Sequence, residues 1–163
     1  MTNDKYGLLS PKGYDNVKII LQQEAFGYLA VQSNEPYVVP INFAYAESDD
    51  PYSWGQIFFH SGPGRKTEAL AVDPRICLAV LTGTNFHKGK QPCNDSFNYR
   101  SVLVEGKATL LDDPQKKRQA LRAIVAKYDP EALHQPFNGQ VLAKTLVYSA
   151  GIEVVSFKQK HKA

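Results

Sequence analysis

The residues best equipped for chemistry lie in one run, Phe58-Phe59-His60-Ser61-Gly62-Pro63-Gly64-Arg65-Lys66-Thr67-Glu68-Ala69-Leu70. An aromatic, strand-like stretch ends in small turn-forming residues, and two adjacent cations open a helical pattern. Backbone N–H groups of the turn, the positive end of the helix, Arg65 and Lys66 are expected to point at one spot, an arrangement that suits a phosphate dianion. The run is not a nucleotide-binding P-loop. That motif brackets four residues with two glycines and places the second directly before the lysine, whereas Arg65 precedes Lys66 here. The competing reading is a helix start with two solvated cations, and this run alone leaves the two readings level. His60 adjoins the turn and Ser61, which raises it above the usual structural role of a lone histidine. His87, His134 and His161 are scattered without metal-ligand spacing, so no metal site is expected.

Strands must deliver these groups. Tyr37 to Ala46 alternates most regularly: Tyr37, Val39, Ile41, Phe43 and Tyr45 share a large apolar face that belongs in a core. Val38, Pro40, Asn42, Ala44 and Ala46 share a smaller face, against which a flat ligand could lie. Pro40 cannot donate to a ladder, so it marks an edge or a bulge. Further strands are predicted at Phe26 to Gln32, Trp54 to His60, Arg75 to Thr82, Tyr99 to Leu111 and Thr145 to Phe157. Gly106 inside its strand predicts a bulge or a close backbone approach.

Helices are predicted from Asp15 to Gln23, from Gly64 or Arg65 to just before Pro74, and from Pro114 to about Tyr128. Asp113 should cap the last of these, which buries Leu121, Ile124, Val125 and Tyr128 and leaves Lys116, Lys117, Arg118, Arg122 and Lys127 on a solvated face. Asn138 to Lys144 adds a further helical turn. Gly83 to Asn98 is a polar loop, long enough to invite a role as a lid. Many strands with few helices argue for an antiparallel sheet or small barrel.

A chain of 163 residues with 43% apolar and 21% charged residues fits a single domain, residues 1–163, with a true core. A net charge of +3 is too small to favour nucleic acid as the partner. No signal peptide or membrane-spanning run is evident, so a cytoplasmic location is expected. Cys77, in an apolar run, is expected in the core, and Cys93, in a polar one, at the surface; neither implies a disulfide.

Val39-Pro40-Ile41-Asn42-Phe43-Ala44-Tyr45, the segment from Phe59-His60-Ser61 to Leu70, and Tyr99-Arg100-Ser101-Val102 with Gly106 together resemble the FMN-binding split-barrel family related to pyridoxamine 5′-phosphate oxidase. Within it the chain looks most like the nitroimidazole-resistance (Nim-type) flavoproteins. The likeness spans the whole chain in element order as well as motifs. It implies a mainly β fold, a six-stranded antiparallel split barrel, assembled as a two-fold homodimer with FMN between the subunits. Carried over, Arg65 and Lys66 would grip the FMN phosphate with help from Ser61 and the Gly64 backbone. Pro40, Ile41 and Asn42 would lie along the flavin ring, with Asn42 able to pair with its pyrimidine edge. Arg100 and Ser101 would reach the site from their own or the other subunit, and His60 would position substrate or donate a proton.

The resemblance implies an FMN-dependent oxidoreductase that reduces a small acceptor, nitro-aromatic or quinone-like, at the expense of a nicotinamide donor. A non-catalytic flavin- or haem-binding protein on the same fold is the alternative; a binder of some other phosphorylated metabolite is a third. Nothing in the chain matches the extra substrate-phosphate residues of a true pyridoxamine 5′-phosphate oxidase, so that reaction is not assigned.

Overall fold

The computed structural model describes residues 2–3, 11–50 and 52–160. In chain order the elements are β1 (Thr2–Asn3), α1 (Pro11–Gln23), β2 (Phe26–Val31), β3 (Val38–Asn42), β4 (Ala44–Ala46), β5 (Gln56–Ser61), α2 (Arg65–Val72), β6 (Arg75–His87), β7 (Ser96–Leu110), α3 (Pro114–Tyr128), α4 (Gly139–Lys144) and β8 (Leu146–Lys160). Short 3₁₀ turns occupy Pro92–Asn94 and Pro130–His134.

The strands form one antiparallel sheet in the order β3-β2-β6-β7-β8-β5-β4, with β1 pairing β8 off this path. The two ends of the path, β3 and β4, are consecutive in sequence and separated only by Phe43. A sheet whose outermost strands are joined through one residue must curl until they meet. The barrel therefore follows from the topology.

Seven strands lie on the path, and the expected six is corrected for one physical reason. The Tyr37 to Ala46 run breaks at Phe43: β3 pairs β2 on one side, and β4 pairs β5 on the other. Its alternation is as expected except at Ala44, which is buried and not on the open small face. Ile41 and Phe43 are buried, with Tyr37, Val39 and Tyr45 packed against the core. Gly106 sits at the register shift between β7 and β8, and a Cβ there would lie 2.0 Å from the Gly151 carbonyl oxygen. Only glycine allows that approach.

Helix α1 begins at Pro11, not Asp15, and buries Val17, Ile20 and Leu21 against β4, β6 and β7. Each such side chain contributes about 1.5–3 kcal/mol. Helix α3 lies over β4, β5 and β8, but of its expected core residues only Ile124 is buried, joined by Ala120. Its basic face is not simply solvated. Lys117 donates to the Thr145 carbonyl, Arg122 to that of Leu133 and Lys127 to that of Leu21.

Half of the Gly83 to Asn98 stretch is strand. β6 and β7 run on past the barrel as a two-stranded ribbon to His87 and from Ser96, with Phe86 and Phe97 packed edge to face at its end. Backbone pairing continues there because Phe86 faces Phe97 directly across the ladder. Cys93 is exposed, but Cys77 is only half-buried on the outer face. No helix among the described residues is long and apolar enough to cross a membrane.

Candidate functional site

Phe43 creates the site by leaving the ladder. The β4–β5 pairing runs from Ala46↔Gln56 to Ala44↔Phe58 and stops. Continued at the same register it would set Asn42 against His60 and Pro40 against Gly62. Instead β3 bonds only to β2, and residues 59–61 of β5 bond only to β8. Two strand edges thus face each other across a split, each with backbone N–H and C=O groups free for a ligand.

The far end of the split is closed by Arg65. Its guanidinium stacks on the Tyr37 ring at 4.4 Å and donates to Ser33 Oγ and the Glu35 carbonyl at 3.5 and 3.4 Å. Arg65 therefore ties the start of α2 to the β2–β3 turn. Lys66 takes another direction, with its ammonium 5.7 Å from the centre of the Phe59 ring. The two cations expected to converge on one spot diverge. Successive residues of a helix point about 100° apart, and Tyr37 offers Arg65 an aromatic face. Lys66 remains without a hydrogen bond or ion pair among the described residues. Its partial burial pulls the amine below its usual range.

The start of α2 is equally open. Glycine at position 64 has no side chain with which to cap it, and its φ of 155° is one that L residues rarely adopt. Thr67 Oγ1 accepts from the Gly64 N–H at 3.0 Å and donates back to the Gly64 carbonyl at 2.8 Å. The amides of Arg65, Lys66 and Thr67 have no intrahelical partner, as in any first turn. Ser61 Oγ donates to the Gly62 carbonyl at 2.7 Å and keeps its acceptor capacity.

Pro40 is exposed and Asn42 half-exposed on the β3 lip, on the small face as expected. Ile41 is buried in the core and pairs with Gly27 of β2, so it brings no side chain to the split. His60 is exposed on the β5 lip. Desolvation, and then the charge of Lys66, lower its pKa. The ring is therefore neutral at pH 7, with one N–H donor and one acceptor. Neither Asn42 nor His60 has a side-chain partner among the described residues.

Arg100 and Ser101 are not brought to the split. They stand on β7, three strands from β3 and on opposite faces of their own strand. Arg100 donates to Asn16 Oδ1 of α1 at 3.3 Å. Ser101 looks outward beside Leu81, its ladder partner. A groove of about 380 Å³ flanks Arg65 on the side of Glu68 and Asp73. Those carboxylates make it a poor seat for an anion, so the split is the better candidate.

Two residues of the site region lack any sequence signal pointing to it. Lys127 and Tyr128, the last residues of α3, both contact Phe43. The Lys127 ammonium lies 3.9 Å from the centre of its ring, and burial lowers the amine to about 8. The Tyr128 hydroxyl accepts from the Phe43 N–H at 2.9 Å.

Comparison with known proteins agrees with this fold. A 5-nitroimidazole antibiotic resistance candidate from Bacteroides thetaiotaomicron superposes with a TM-score of 0.73 and 25% identity, over 88% of this chain and 81% of that one. The flavocytochrome Anf3 from Azotobacter vinelandii superposes with a TM-score of 0.76 and 26% identity, over 91% and 67%. An FAD and heme binding protein from Mycobacterium smegmatis shares the fold at a TM-score of 0.77 and 20% identity, over 91% and 71%. Among curated proteins none matches the chain. The family model described as pyridoxamine 5′-phosphate oxidase matches residues 15–159, and the chain belongs to that family.

Proposed function

We propose that the split holds FMN and that the protein is an FMN-dependent oxidoreductase acting on a small nitro-aromatic or quinone-like acceptor. One observation carries this reading: three polar heads without a hydrogen-bond partner among the described residues, Asn42, His60 and Lys66, lie about two unpaired strand edges beside an uncapped helix start. Polar groups so placed fit a planar heterocycle with an anionic tail. Its structural relatives, a flavocytochrome and a nitroimidazole-resistance candidate, support it.

When bound, FMN supplies a ring that takes and passes on hydride or electrons. Lys66 and the free amides of α2 bind the phosphate, with Ser61 as a further contact. Arg65 mainly braces the mouth of the split through Tyr37. Asn42 and the β3 edge orient the ring through hydrogen bonds to its pyrimidine side. His60, neutral at pH 7, positions the acceptor and offers its N–H to a developing negative charge. A nicotinamide donor needs no dedicated site of its own.

A second copy of the chain completes this reading. Phe26, Tyr28, Val38 and Leu81 are 65%, 56%, 59% and 51% exposed on the outer face of β3, β2 and β6. The same face carries Pro40 and Asn42, so a two-fold partner seated there would wall the site. Ser101, on the same outer face, would face that partner, whereas Arg100 points to the opposite face of β7, toward Asn16 of α1.

The purified protein should be yellow and release FMN on denaturation, identified by chromatography against FAD. It should also oxidise NADH or NADPH when a nitro-aromatic or quinone is supplied. A colourless preparation that takes up no flavin would overturn the proposal. Flavin bound without turnover, or a Soret band after haem addition, would favour the non-catalytic reading that the flavocytochrome and haem-binding relatives also support.

A further inference from the structure

Arg65 closes the far end of the split, and it also borders the groove of about 380 Å³ beside α2. Small-ligand sites span about 300–1,000 Å³, and the groove falls within that range. Its two carboxylates are unequal. Asp73 is spent on Arg75, which donates to one of its oxygens at 3.0 Å and to the other at 2.5 Å. Glu68 is exposed, and its carboxylate makes no hydrogen bond or ion pair with any described residue. The β2–β3 turn supplies the remaining polar lining, the amides of Gln32 and Asn34 and the hydroxyl of Ser33. Val72 adds an apolar wall and is 88% exposed.

This lining is selective. An ionised carboxylate only accepts hydrogen bonds, so Glu68 repels a phosphate and suits vicinal hydroxyls. In dinucleotide-binding folds an acidic side chain takes the ribose hydroxyl of NAD in the same way, and an arginine accommodates the extra phosphate of NADP. The amides match the donor and acceptor edge of a base, and Val72 its flat face. A phosphate belongs at the rim, beside Arg65. The bonds of Arg65 to Ser33 Oγ and the Glu35 carbonyl, at 3.5 and 3.4 Å, both come from one terminal nitrogen, as does its contact with the Glu35 carboxylate at 3.9 Å. Its Nε and second terminal nitrogen make no such bond with the described residues.

We propose that the groove seats the adenosine end of the nicotinamide donor, that Glu68 accepts from the hydroxyls of its ribose, and that the donor is therefore NADH and not NADPH. The nicotinamide end needs no pocket of its own beside the flavin; the adenosine end has one. The divergence of the two cations then has a use. Lys66 serves the flavin phosphate in the split, and Arg65 serves the donor's diphosphate at the rim. The donor role rests on the flavin reading above; the nucleoside subsite does not.

Two nucleotides test the subsite without flavin or turnover. AMP, titrated into the flavin-free, full-length protein and followed by amide NMR, should shift Ser33, Asn34 and Glu68. Adenosine 2′,5′-bisphosphate should bind at least about tenfold more weakly. Glu68→Arg, a change at an exposed position, should reverse that order. With FMN bound and a nitro-aromatic acceptor supplied, KM for NADH should lie at least about tenfold below that for NADPH, and Glu68→Arg should reverse this preference through KM.

AMP that shifts none of these amides overturns the inference, whether or not the protein binds flavin. So does equal binding of the two nucleotides by the wild type, or a preference that survives Glu68→Arg. FAD that binds more tightly than FMN and shifts the same amides would give the groove to the cofactor's own adenosine and overturn the donor assignment. AMP binding in a protein that takes up no flavin would sink the flavin reading and leave the nucleoside subsite standing.

Discussion

Helices α2 and α3 each follow a strand and a short turn, and each must deal with the N–H groups of its first turn. They do so in opposite ways. In α3 the Asp113 carboxylate accepts from Gln115 N at 2.7 Å and Lys116 N at 2.8 Å, and Pro114 brings no N–H at all. Asn138 does the same for α4. In α2 the equivalent position is Gly64, and the one side chain that turns back, Thr67, bonds only to Gly64 itself. The cations differ likewise. Lys117, Arg122 and Lys127 of α3 donate to backbone carbonyls, whereas Lys66 of α2 donates to no described residue. A helix that carries its own anion serves as scaffold. One that begins on glycine beside an unpaired lysine leaves room for an anion from outside.

The sharpest way to break this contrast is to remove the α2 cations. Replacing Arg65 and Lys66 together by Met should weaken FMN binding by about 100-fold or more, since each charge-assisted contact contributes about 1.5–3 kcal/mol. Lys66→Met alone should account for most of that loss, because Arg65 is already engaged by Tyr37 and the Glu35 carbonyl. Unchanged affinity in a fluorescence titration would place the phosphate elsewhere.

Gly64→Ala comes next. A Cβ there meets nothing within 4 Å, so its cost, about 1–3 kcal/mol, comes from the backbone conformation and should appear in denaturant unfolding. Equal stability would show that the turn relaxes freely. Asp113→Ala should cost about 1 kcal/mol and leave FMN affinity untouched; altered affinity would mean that α3 is more than scaffold.

The smallest effect concerns protons. His60 should titrate below its ordinary 6.5, chiefly through desolvation and secondarily through Lys66. In the unfolded chain this histidine takes a proton at a pH where the folded one does not. Its contribution to stability is therefore lost as pH falls below about 6.5, towards its lowered folded value. Lys66→Met should move the His60 titration, followed by NMR, part of the way back up; no movement would separate the two groups.

Much of this was legible beforehand, and the gaps have physical causes. Alternation in Tyr37 to Ala46 placed Ile41 and Phe43 inside and Pro40 and Asn42 outside, because a period of two survives a local break in pairing. The break itself was not legible. Phe43 is an ordinary strand residue, and the partner of its amide is a tyrosine 85 positions away. Asp113 announced its cap because that chemistry is local. Arg65 and Lys66 were adjacent in sequence and so expected to act together, yet the ring that captures Arg65 belongs to a distant turn. The Gly83 to Asn98 run looked like a loop by composition, but cross-strand pairing of Phe86 with Phe97 outweighs polar neighbours. Lys127 read as one more surface cation, since nothing local reveals the aromatic ring beneath it.

The central claim is that the start of α2 holds the phosphate of a flavin, and paired titrations of FMN and riboflavin test it most directly. The wild type should bind FMN at least about 100-fold more tightly than riboflavin, and Lys66→Met should remove most of that difference. Equal binding of the two flavins, or a preference that survives Lys66→Met intact, would contradict the account.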